Sequence, residues 1–359
     1  MAYTSIDDPS AFFQTTLYSG TGSSGNAITN DGNSNLQPDI VWIKNRDYNN
    51  PHVLQDTNRG FSSGEAKVLQ PGNDVAESNN GAFVSFDTDG FEVGGTNAAS
   101  RAFNGSSDTY AAWQWKVNGG TTSSNTEGNV TNTLQVNTTA GISISTFTSA
   151  SSGTTTFGHG LGVTPAMFIT KAVNQDYGWW VNHKGLASQT DKYLGLHTTG
   201  DEADISWGAA PTSTLITTTS AYVGNSLPQI CYAFAEIQGY SKFGKYTGTG
   251  SSTESYRHGP FIYTGFKPAF FICKRTDNTG NWLLFDNKRG DFNLNDNYAY
   301  INLDNTDGTS TTQGVDFLSN GIKIRNTYND AGASNATYIY MAFAENPFVT
   351  STGIPTTAR

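Results

Sequence analysis

The chain is poor in charge. Asp, Glu, Lys and Arg make up 14 % of its 359 residues, against a usual ~25 %. Basic residues number 20 against 30 acidic ones, giving a formal net charge of −10, and they form no cluster. Binding to phosphate backbones draws its affinity from such clusters, so nucleic acid is excluded as the main ligand and anionic membrane surfaces are disfavoured. Long apolar runs are missing too. No stretch approaches the ~20 residues that span a bilayer, so no membrane insertion is expected. The first ten residues, Met1 to Ser10, carry Asp7 and Asp8 where a secretory signal is basic, and the expectation is a chain without one.

Cysteine is nearly absent. Cys231 and Cys273 each sit inside an apolar run, which predicts free, buried thiols acting as small hydrophobes, with no metal framework. The helix formers Lys, Glu and Leu are scarce. What is abundant is glycine, with 39 residues, and aromatic side chains, at 13 %. Disordered chains lack aromatics. Together with many Ser, Thr and Asn residues, this composition predicts an all-β protein of short strands joined by polar turns.

One pattern occurs three times. Pro38-Asp-Ile-Val-Trp-Ile-Lys44, Pro165-Ala-Met-Phe-Ile-Thr-Lys171 and Pro268-Ala-Phe-Phe-Ile-Cys-Lys274 each place a lysine six residues after a proline. Each is followed by an Ala-aromatic segment: Tyr110-Ala-Ala-Trp113, Tyr232-Ala-Phe234 and Tyr340-Met-Ala-Phe343. The first and third copies share Asp-x-x-Arg-Gly (Asp56 to Gly60, Asp286 to Gly290), where the middle copy reads Trp179-Trp-Val-Asn-His-Lys-Gly185. Equal spacing at independent points indicates duplication. The strands and turn dipeptides within each copy read as a β-sandwich or jelly roll, which resembles a lectin-like sandwich by fold-level analogy. The expected organisation is a first sandwich over 1–118, a linker over 119–140, a second over 141–238, a third over 239–348 and an extended tail over 349–359.

These motifs resemble a family of tandem-repeat virion structural proteins, tail- or fibre-associated, from marine and cyanobacterial tailed bacteriophages. The resemblance rests on Pro38 to Arg46, Asp56 to Gly60, Phe86 to Phe91, Tyr110 to Lys116, Gly158-His-Gly-Leu-Gly162 with Pro165, Gly239 to Gly248, and Ala342 to Phe348. It covers nearly the whole chain. It implies a virion component assembled in the host cytoplasm, with other virion proteins as partners and oligomeric assembly on the particle. It implies no activity.

The chemistry-bearing residues leave several alternatives open. None of His52, His159, His183, His197 and His258 forms a zinc-type pair, and Gly158 to Gly162 lacks the Lys-Ser/Thr of a phosphate loop. No Gly-x-Ser-x-Gly elbow stands with plausible partners. The expectation is therefore no catalytic residue, no cofactor and no metal. Asp87-Thr-Asp-Gly90 and Asp304-Asn-Thr-Asp-Gly308 suit a hairpin turn, or carboxylates offered to calcium. Asp56 with Arg59, and Asp286 with Arg289, form either a fork for a glycan or carboxylate, or an ion pair closing a loop. Trp179 and Trp180 are adjacent, so in a strand one points to the core while the other is free to stack on a sugar beside His183. Three functions follow: host attachment through surface glycans, a decoration or scaffold role on capsid, neck or tail, and polysaccharide degradation as the weakest.

Overall fold

A computed structural model describes residues 2–95, 100–250, 259–290, 293–310 and 313–356; His258 lies outside them. Three larger antiparallel sheets share one connectivity. In the first, the strand order is Phe13–Ser19, Thr109–Trp115, Ile40–Asn45, Val53–Asp56. The third runs Ser241–Thr247, Thr337–Pro347, Phe266–Arg275, Leu283–Asp286, and continues through Asn297–Tyr300 and Gly308–Thr309. In the second, Ile142–Thr148, Pro228–Phe234, Met167–Ala172 and Trp180–His183 follow the same order. In each sheet the Ala-aromatic strand, last in sequence, slots between the opening strand and the proline–lysine strand. The all-β class expected from composition is the class observed.

Each proline–lysine strand is apolar on both faces because both are covered. Val41 and Ile43 pack with Phe83, Phe91 and Val93 of a smaller sheet formed by Asn26–Thr29, Phe83–Asp87 and Gly90–Val93. Ile40 and Trp42, on the opposite face, enter a different core. Phe168 of the second sheet and Phe271 of the third likewise face small sheets of their own. On each Ala-aromatic strand one neighbouring small–large pair splits between the two sides. Small Ala112, Ala233 and Ala342 face these separate cores, and large Trp113, Tyr232 and Phe343 face the other way.

That other face amends the picture of three successive sandwiches. The large side chains of all three sheets meet in one shared core. Phe13 of the first sheet stacks on Phe343 of the third, with ring centroids 5.3 Å apart, and Trp115 meets Phe270 edge-on at 5.5 Å. Each aromatic buried this way contributes about 1.5–3 kcal/mol.

Two expectations are corrected. The segment 119–140 is not a linker: Ser123–Asn125 and Asn132–Asn137 pair with each other, and the latter pairs with Ile142–Thr148 to extend the second sheet. Ser123–Asn125 ends that sheet and is polar throughout, while Asn132–Asn137 lies inside it and has only Leu134 and Val136, two residues apart, as apolar side chains. The tail does not run out extended. It turns back through a Val349–Pro355 bridge, and Ser351 donates its amide and hydroxyl to Asp7.

Candidate functional site

The repeated motifs converge where one sheet meets the next. Lys44, Lys171 and Lys274 end their strands fully buried. Lys44 Nζ donates to the carbonyl of Asp304 in the third sheet's loops at 3.1 Å. Lys171 donates to Asp74 in the first at 2.8 Å, and Lys274 to Thr199 in the second at 3.4 Å. Two residues beyond each lysine, a carbonyl accepts an amide from the same neighbouring loop: Arg46 from Asp307, Val173 from Glu77, Thr276 from Glu202. Desolvation holds all three ammonium groups down to about 8.

Fourteen residues after the three prolines stand His52, Trp179 and Trp282, and these reach the same loops. His52 Nε2 lies 3.0 Å from the Tyr300 carbonyl, Trp179 Nε1 donates to Gln70 at 2.9 Å, and Trp282 Nε1 to Gly195 at 2.8 Å. Each sheet thus grips a loop of a neighbour, the first gripping the third, the third the second, and the second the first. The ring closes.

Eighteen residues after the prolines stand Asp56, His183 and Asp286, and these bond across the same boundaries in the opposite sense. Asp56 accepts the Tyr232 hydroxyl at 2.6 Å, and Asp286 accepts Trp113 Nε1 at 3.0 Å. In the third sheet the register position that Trp113 and Tyr232 occupy in theirs is held by Met341. A thioether offers no proton to a carboxylate. The His183 imidazole donates from Nε2 to the Tyr340 carbonyl at 3.1 Å and accepts the Gly185 amide on Nδ1. Burial pushes it down to about 3, so it is neutral. Where the other two copies place a carboxylate against a side-chain donor, the middle copy places a neutral imidazole against a backbone carbonyl.

These contacts decide the open alternatives. Asp56, Arg59, Asp286, Arg289, Trp179 and His183 are at most 8 % exposed. Arg59 spends Nε on Asp56, Nη1 on Glu77 and the Lys67 carbonyl, and Nη2 on the Leu54 carbonyl. Arg289 does the same with Asp286, Asp307 and the Leu284 carbonyl. Neither guanidinium has a fork left for an external carboxylate, and both close loops against their sheets. Of the residues expected at a ligand surface, Trp180 alone is half-buried. It packs edge-on against Tyr193 at 4.8 Å and Tyr222 at 5.5 Å. The Asp87–Gly90 segment is a hairpin end with Gly90 at φ +110°, and the Asp307 carboxylate is held by Arg46 and Arg289.

Two open clefts lie at the sheet boundaries. One, of about 420 Å³, separates the first and second sheets beside Asn58, Lys67, Glu77, Thr133 and Thr146. The other, of about 310 Å³, separates the third and first beside Gln14, Asp31, Lys288 and Glu345. Asn58 and Lys288 are variable positions inside Asp-x-x-Arg-Gly, and the clefts form only where the ring brings these loops against a neighbouring sheet. The equal offsets of fourteen and eighteen residues were the sequence signal for the ring itself.

The architecture defines an all-β protein whose sheets are locked around a common core. The chain belongs to the family described as a domain of unknown function, DUF7483, which matches residues 8–347. No curated protein and no solved structure matches it.

Proposed function

We propose that the chain is a structural component of a tailed-bacteriophage virion, tail- or fibre-associated, that adsorbs to glycans on the bacterial host surface. One observation supports a binding role above others. The buried ionic and aromatic motif residues are consumed in joining sheet to sheet, which leaves the polar boundary clefts and loops as the surfaces offered outward. Such clefts, rich in Asn and Thr and set on rigid sheets, present pre-placed donors and acceptors for neutral sugars. The virion assignment is supported by the resemblance of the repeated motifs. Purified protein at micromolar concentration is expected to block phage adsorption to host cells, and labelled antibody is expected to decorate the tail. Unimpeded adsorption defeats the attachment role.

A decoration or scaffold role on capsid, neck or tail is the second reading. Phe261 and Tyr263, 46 % and 55 % exposed, lie on a strand, Phe261–Tyr263, that among the described residues is paired on one side. Aromatic side chains on an open edge suit contact with another protein. Antibody decoration of the capsid or neck would favour it.

A further inference from the structure

The inner face of the second sheet changes character along its strands. Side chains two residues apart share a face. On the Ile142–Thr148 strand, Ile142 and Ile144 enter the shared core, and the next two positions on that face are Thr146 and Thr148. On the neighbouring strand, Phe234, Tyr232 and Ile230 enter the core and Pro228 follows. Thr146 pairs with Thr133 and Ile230, and Thr148 pairs with Pro228. The sheet therefore overhangs its core and ends in a floor of hydroxyls on stiff backbone.

We propose that this overhang, the cleft of about 420 Å³ between the first and second sheets, binds a neutral hexose unit of a glycan. The inference rests on the glycan-adsorption reading and names its site. Asn58 roofs the inner end, taking the Thr146 hydroxyl on Oδ1 at 2.8 Å and donating Nδ2 to the Thr133 and Ile144 carbonyls. Thr131, Thr133 and Thr148 remain exposed, with hydroxyls that both donate and accept. Val173, half-buried, and Pro228, exposed, supply an apolar strip for the C–H face of a sugar ring.

Charge decides for a neutral ligand. Glu77 faces Arg59 at 2.8 Å and Lys67 at 3.7 Å, and Arg59 is also paired with Asp56. The charges on that wall are balanced among themselves, leaving no unpaired cation to select an acidic sugar. The cleft between the third and first sheets is different. Its charges are paired as well, Asp31 with Lys288 and Glu345 with Lys267, but it lacks the threonine floor.

The test titrates the whole chain with the methyl glycosides of glucose, galactose, mannose and N-acetylglucosamine, and with methyl glucuronide, read by saturation-transfer NMR and calorimetry. Thr133→Val with Thr148→Val removes two exposed hydroxyls at nearly constant volume, and circular dichroism verifies the fold. Binding of at least one neutral glycoside is expected, weakened about tenfold in the double variant and unchanged in Trp180→Ala. The proposal is overturned if none of the four binds, if the glucuronide binds more tightly, or if the double variant binds like the parent. Adsorption to host cells is scored in parallel. Parent protein that adsorbs while its valine variant adsorbs equally places the site elsewhere and leaves the glycan reading standing; parent protein that fails to adsorb defeats that reading itself.

Discussion

The Tyr232 hydroxyl sits 2.6 Å from Asp56 Oδ2, which Arg59 Nε also approaches at 2.6 Å. A phenol of the second sheet thereby completes an ion pair of the first. Tyr232→Phe removes one donor and leaves the arginine in place. The expected loss is about 1–2 kcal/mol, read as a lower denaturant midpoint at unchanged slope.

The exchange of Asp for His at position 183 accompanies a change of partner. His183→Asp puts a carboxylate against the Tyr340 carbonyl, and the third sheet offers a thioether, Met341, at the register position where the other two sheets offer a hydroxyl or indole donor. A buried charge left unpaired costs about 3 kcal/mol or more. Adding Met341→Tyr brings a hydroxyl to that place, and a double-mutant cycle is expected to show favourable coupling of about 1 kcal/mol. Strict additivity of the two changes would refute the pairing rule.

Acid should loosen the ring where the second sheet meets the third. His183 titrates near 3 when folded and near ~6.5 when unfolded. Between those values the unfolded chain binds more protons, so the stability it contributes is full above ~6.5 and falls as pH drops toward 3. His52 is depressed in the same direction, by burial first and by Lys44 second. Denaturant midpoints across this range should decline less steeply in His183→Gln than in the parent.

The lysines act on the alkaline side with the same sign. Folded values of about 8 lie below the unfolded ~10.4, so the unfolded state holds more protons between them and stability rises with pH across that window. Buried Tyr232, Tyr240 and Tyr246, raised by desolvation, oppose further gain above pH ~10. An optimum at the upper end of that window, near pH ~10, is expected. Lys171→Met should flatten the rise leading to it.

Cys231 and Cys273 are buried, with thiols pushed up by desolvation. The thiolate is the reactive form. A thiol reagent should label neither in the native protein and both in denaturant; fast native labelling of either would contradict the packing described.

Much of this architecture was readable in advance. The proline–lysine spacing located the central strand of each large sheet, and the Ala-aromatic segments located the strand beside it. Asp56 with Arg59 was legible as a loop-closing pair because a carboxylate three residues before an arginine is within reach of it. Which partner completes that pair was not legible, since Tyr232 lies 176 residues away and nothing local marks it. Ser123–Asn125 and Asn132–Asn137 were missed for a physical reason: the first is an all-polar edge, and the second, though paired on both sides, buries Asn132 and Gln135 and has only Leu134 and Val136 as apolar residues, so its apolar periodicity is faint. The threonine floor was invisible for a related reason. Its hydroxyls look like turn residues until the register sets them side by side.

A shared centre also governs how the molecule comes apart. Removing any one sheet would strip cover from Trp42, Ile169 or Ile272 and their neighbours on the other two. No third of the chain is therefore equipped to stand alone in water, and melting should proceed as a single all-or-none event in a calorimeter, unlike a string of beads released one after another.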